Sequence, residues 1–128
     1  MKILDCTLRD GGNSNNWQWD IKLAQRIVKA LTNVGIDWIE IGYRRPGKSG
    51  FEYCSDELLG KHFEGCDNLA IMIDLKDYLK DGEIDNSVLV RNFNRESPIA
   101  MVRVACNPVI KEIEQSLKVL IKKTESEE

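Results

Sequence analysis

Apolar and polar positions along the chain alternate in short blocks. Lys2 to Leu8 carries Ile3, Leu4, Cys6 and Leu8 and stops at Gly11-Gly12, which predicts a strand followed by a turn. Asn13 to Asn16 is polar and predicts a loop. Asp20 then fits a helix N-cap, with Ala24, Ile27, Val28, Leu31 and Val34 at helical spacing and Gly35 placed for a left-handed C-terminal cap. Ile36 to Ile41, closed by Gly42, predicts a second strand. Ser55 to Phe63 predicts a helix with Leu58, Leu59 and Phe63 inward. Leu69 to Ile73, ending in Asp74, is a continuous apolar run of the kind found in strands buried on both faces. Between 75 and 98 the pattern is weaker. Leu75 to Leu79 suits a helical turn, while Ser87 to Phe93 reads as strand by composition and as helix by alternation with its neighbours. Ile99 to Cys106 is a fourth apolar run, broken by Asn107-Pro108. Val109 to Lys123 predicts an amphipathic helix with Ile110, Ile113, Leu117, Leu120 and Ile121 on one face.

Strand and helix therefore alternate four times, the pattern of a parallel α/β arrangement with right-handed crossovers. The expected domain spans 1–123, and 124–128 forms a charged tail. In such folds chemistry gathers on loops at the carboxyl ends of strands, which selects 7–16, 40–50, 74–77 and 103–107. The length of 128 residues sets a limit, because a complete (β/α)₈ barrel needs about 250.

Charge and composition remove several function classes. The chain holds 18 Lys+Arg against 21 Asp+Glu, a net charge of −3, so nothing draws it generally to nucleic acid or to an anionic membrane. No apolar run approaches the roughly 18 residues of a membrane span, and an acid at Asp5 interrupts any signal-peptide core. Cys6, Cys54, Cys66 and Cys106 form no C-x-x-C pair; Cys6 and Cys106 lie in apolar runs and are expected to be buried thiols. The expected setting is a reduced, cytoplasmic one. His62, alone on a polar helix, is assigned no role.

The end of the first strand carries the densest chemistry. Thr7-Leu8-Arg9-Asp10-Gly11-Gly12 sets a guanidinium beside a carboxylate. A carboxylate suits magnesium or manganese, and a guanidinium suits an enolate or a substrate carboxylate. The plainer alternative is a surface Arg–Asp pair in a turn. Leu4-Asp5-Cys6-Thr7-Leu8-Arg9-Asp10-Gly11-Gly12 resembles the first strand of the HMG-CoA-lyase-like metal-dependent barrels, the DRE-TIM metallolyases. These include 4-hydroxy-2-oxoacid aldolases, HMG-CoA lyase and isopropylmalate synthase. Ile39-Glu40-Ile41-Gly42, the run ending in Asp74 and Val102-Arg103-Val104-Ala105 resemble the later strands, so the likeness spans residues 3 to about 121.

The resemblance implies the N-terminal half of a TIM barrel and a carbon–carbon lyase that uses manganese or magnesium and acts on a small 2-oxo acid. It implies Asp10 as a metal ligand, Arg9 as the cation facing an enolate, and Glu40 as the residue orienting Arg9. The aldolase branch places a proton-transferring histidine where this chain has Asn13, and completes its metal site with an H-x-H pair this chain lacks. This chain alone is therefore expected to be inactive as a lyase. Asn13 and Arg44 are expected to contact substrate, with Arg45 and Lys48 drawing anions to the mouth.

Two other readings remain. A half-barrel exposes sheet edges, so the chain is alternatively an assembly module pairing with a second copy or with a missing C-terminal half. Gly42 to Ser49 also matches the P-loop pattern G-x-x-x-x-G-K-[ST], which predicts nucleotide binding; Gly50-Phe51-Glu52-Tyr53-Cys54 starts a helix poorly where that motif demands one. Trp17, Trp19, Tyr43 and Tyr53 are expected to pack rather than to recognise a ligand.

Overall fold

The computed structural model describes residues 1–94, 96–107 and 113–124. Four parallel strands form one sheet in sequential order: β1 (Leu4–Asp5), β2 (Trp38–Tyr43), β3 (Leu69–Asp74) and β6 (Met101–Ala105). The helices between them are α1 (Thr7–Asn15), α2 (Ile21–Asn33), α3 (Asp56–His62) and α4 (Asn86–Arg91), and α5 (Ile113–Thr124) follows the last strand. This is the expected half of a (β/α)₈ barrel. A small antiparallel hairpin, β4 (Leu79–Lys80) with β5 (Glu83–Ile84), is an addition that the apolar pattern did not predict.

The sheet has two unlike faces. Ile39, Leu69, Ile71 and Ile73 are fully buried on the outer face, under the helices. Fully burying such side chains contributes about 1.5–3 kcal/mol each, so this face holds the unit together. Ala24 and Val28 of α2, Leu59 of α3, Leu89 of α4 and Leu120 of α5 join the same core. The caps form as the sequence implies: Asp20 accepts from the Leu23 amide at 3.0 Å, Ser55 from Leu58 at 3.1 Å, and Gly35 turns left-handed at φ +92°. Ser87 to Phe93 resolves in favour of helix, because Asp85 caps α4 through the Ser87 and Val88 amides.

Several expectations need correction. The first strand ends at Asp5 rather than Leu8, since the Asp5 carboxylate accepts from the Thr7 amide (2.9 Å) and hydroxyl (3.0 Å) and turns the chain into α1. Asn13 to Asn15 are consequently helical, not loop. Val34 is 76% exposed and Ile121 is 51% exposed, so neither belongs to the core. Cys106 is exposed, Cys6 is half-buried, and the buried thiol is Cys54; all four are free. Ile110 and the tail beyond Thr124 lie outside the described residues.

Candidate functional site

The inner face of the sheet is polar at its centre, and α1 and β2 build that centre. On α1, Gly11 and Gly12 admit two indoles: a Cβ at Gly11 would stand 2.6 Å from the Trp19 ring, and one at Gly12 would stand 2.2 Å from the Trp17 ring. Trp19 Nε1 also donates to the Leu8 carbonyl at 3.1 Å. Locked by these contacts, α1 presents Arg9 to the sheet.

A bulge in β2 decides which side chains meet Arg9. Glu40 pairs with Ala70 and Gly42 pairs with Ile71, so Ile41 is the extra residue and strand parity flips after it. Glu40 and Tyr43 therefore share the inner face, although simple alternation would separate them. The same flip sends Arg44 outward. Its guanidinium donates to the Cys54 carbonyl (Nε, 3.0 Å), the Asn92 carbonyl (2.8 Å) and Asp56 (3.0 Å), with only 2% of the side chain exposed. Arg44, expected to contact substrate, lies here as a buried tie between β2, α3 and α4.

Glu40 is completely buried and serves two arginines. Arg9 Nε donates to its Oε1 at 2.6 Å; Arg103 donates from Nε to Oε2 and from Nη2 to Oε1, both at 2.7 Å. Burial alone would raise the Glu40 pKa, but the bonds from Arg103 and then Arg9 outweigh it and hold the carboxyl below its ordinary 4.5. Burial likewise opposes the Arg9 charge, and the bond to Glu40 overcomes it, so Arg9 holds its proton more tightly than a free arginine. Arg9 also contacts the carboxylate of Asp10 and lies 5.8 Å from the Tyr43 ring centroid. Arg45 stacks on that ring at 3.8 Å, and Trp17 meets it edge-on at 5.5 Å. Cys6 sits beside the cluster, its thiol raised by burial and then by the Glu40 charge, so it stays protonated at neutral pH.

Asp10, Arg9 and Glu40 are therefore brought together as expected. Asn13 lies exposed on α1 one turn beyond Asp10. His62 ends α3, where its carbonyl accepts from Gln25 at 2.7 Å, in the groove between α2 and α3. Among the described residues no three His, Cys, Asp or Glu side chains converge to hold a metal. Asp10 offers one carboxylate, 64% exposed and engaged with Arg9. The donor set among the described residues does not make a metal site. Arg103 is the residue that sequence reading left without a role; the signal was an arginine inside the apolar strand Met101-Val102-Arg103-Val104-Ala105, with the parity of Met72.

The P-loop reading finds no matching geometry. Gly42 lies within β2, Arg44 bridges Tyr53 in antiparallel fashion, and the Arg45 amide donates to the Glu52 carbonyl at 2.9 Å. The segment folds back on itself, with a single 3₁₀ turn at Gly50–Glu52 in place of a phosphate-binding helix. The aromatics pack, as expected: Tyr53 donates to Asn92 Oδ1 at 2.9 Å. No helix among the described residues is long and apolar enough to cross a membrane.

No family model matches the chain. One curated relative, 2-isopropylmalate synthase 2 from Leptospira interrogans, is 33% identical over 52 residues, 41% of this chain and 12% of that protein. Among solved structures, the N-terminal domain of a candidate aldolase from Bacteroides vulgatus superposes with a TM-score of 0.69 at 30% identity, covering 96% of this chain and 40% of that one. The chain spans less than half the length of either protein. Both likenesses point the same way as the Asp10, Arg9 and Glu40 set, and the chain resembles the N-terminal part of an HMG-CoA-lyase-like barrel.

Proposed function

We propose that this chain carries the enolate-stabilising part of a carbon–carbon lyase acting on a 2-oxo acid. The observation that supports this most is Arg9, fixed at 2.6 Å by a fully buried, ionised Glu40. In such a cleavage the bond beside the 2-oxo acid breaks, and its electron pair moves through the carbonyl onto the oxo oxygen. The other fragment leaves as a carbonyl compound after its hydroxyl proton passes to a base. A pre-oriented guanidinium stabilises the oxyanion because it needs no reorganisation as charge develops. Glu40 orients Arg9 and has no direct contact with substrate. Asn13 has no basic nitrogen, so the proton acceptor comes from elsewhere.

The resemblance implies manganese or magnesium, with Asp10 as one ligand. The other ligands are not among the described residues, and no step above runs through a metal. Titration of this chain alone with manganese is expected to show weak binding; tight binding lost in Asp10→Ala would overturn that expectation. The chain's partner is then a small 2-oxo acid, with a missing half or a second copy supplying the rest of the barrel.

The reading is tested by exchange of pyruvate methyl protons for deuterium, with imidazole supplied as base. Exchange above the protein-free rate, lost in Arg9→Met, is the expected result. Exchange equal to the protein-free rate would remove the reading.

A further inference from the structure

Charges alternate across the inner face. Asp10 touches Arg9, Arg9 bonds Glu40, and Glu40 receives two bonds from Arg103. The row begins with an anion and ends with a cation. Arg9 has two carboxylate neighbours, whereas Glu40 is the ionic partner of Arg103 and is shared with Arg9. Among the described residues, Arg103 Nη2 also meets two uncharged sulfur atoms, Met72 Sδ at 3.5 Å and Cys6 Sγ at 3.9 Å, and the like charge of Arg9 lies close by.

Arg44 provides a comparison within the same molecule. It is an arginine in a purely structural role, 2% exposed and bonded through all three nitrogens. Arg103 is 39% exposed, and both of its hydrogen bonds to Glu40 leave from one edge of the fork, Nε and Nη2. Its plane is fixed by a buried carboxylate while the side chain as a whole stays partly exposed. An anion that binds there meets a pre-ordered donor, and little ordering cost is added. Sulfur neighbours supply no competing charge and screen poorly, which strengthens the attraction relative to an open surface.

We propose that Arg103 is an anion-binding residue that takes the carboxylate of a small 2-oxo acid, while Arg9 faces the oxo oxygen. The choice of a 2-oxo acid rests on the function proposed above; the cationic end of the charge row stands without it.

The test compares binding of pyruvate with binding of pyruvamide, its neutral carboxamide, by NMR titration of the full chain. The wild type is expected to prefer pyruvate by about tenfold, the worth of one charge-assisted bond. Arg103→Met is expected to erase that preference while the chain stays folded. A folded Arg103→Met chain that keeps the preference would overturn the inference, and so would a wild type that binds the two ligands equally or binds neither. If Arg103→Met does not fold, Arg103→Lys decides: a single ammonium cannot reproduce the fork, so pyruvate affinity falls several-fold, by about one hydrogen bond. Unchanged affinity in that variant would count against the inference. Methyl-proton exchange separates the two proposals, since failed exchange with an intact, Arg103-dependent preference removes only the enolate chemistry.

Discussion

The two faces of the sheet are built on opposite terms. The outer face is a dry layer of Ile39, Leu69, Ile71 and Ile73 under helices, and its contribution is apolar area removed from water. The inner face gathers Glu40, Arg103, Met72 and Tyr43 beside Arg9, and it is held by ionic hydrogen bonds. A buried ion pair adds little net stability, because desolvation offsets its attraction, yet losing one partner is costly. The outer face therefore accounts for why the chain folds. The inner face accounts for a fixed arrangement of charge that folding alone does not require.

The contrast is broken most severely at Glu40. Glu40→Ala leaves Arg9 and Arg103 facing each other without a carboxylate, and urea denaturation should show a loss of about 3–5 kcal/mol. Adding Arg103→Met should recover part of it, whereas an outer-face truncation such as Ile71→Ala should cost about 2–5 kcal/mol with no such rescue. The same carboxylate gives a pH dependence. Its folded pKa lies below the ordinary 4.5, so its contribution is complete above that value and is lost as pH falls through the folded one. Wild-type stability should fall on that acid limb, and the fall should be shallower in Glu40→Gln. A smaller effect is expected at Gly12→Ala. The new Cβ would stand 2.2 Å from the Trp17 ring, a clash costing about 1–3 kcal/mol in thermal melts. Because Trp17 helps to seat α1, that variant should also lose methyl-proton exchange beyond what its stability predicts.

The outer face was legible in the sequence because burial on both sides leaves unbroken apolar runs, as at Leu69 to Ile73. The Asp10, Arg9 and Glu40 set was legible through its motif. Parity was not. One extra residue at Ile41, between Glu40 and Gly42, reverses every side chain after it, and no local pattern in the sequence marks it. Tyr43 thereby joined the site and Arg44 left it. The hairpin at Leu79 to Ile84 turns on Asp81 (φ +53°) and Gly82 (φ +82°). Its Asp-Gly pair is a turn signal that the weak apolar pattern of this region masked. The ending of the first strand depended on the Asp5 side chain capping its own chain, a local bond that competes with strand pairing.

On the function proposed above, Glu40 acts through Arg9. A double-mutant cycle on pyruvate methyl-proton exchange tests it most directly, using Arg9→Met, Glu40→Gln and the pair, each under conditions where the chain is folded. Coupling is expected: Glu40→Gln slows exchange in the wild type and has no further effect once Arg9 is gone. Losses that simply add across the two sites would contradict it.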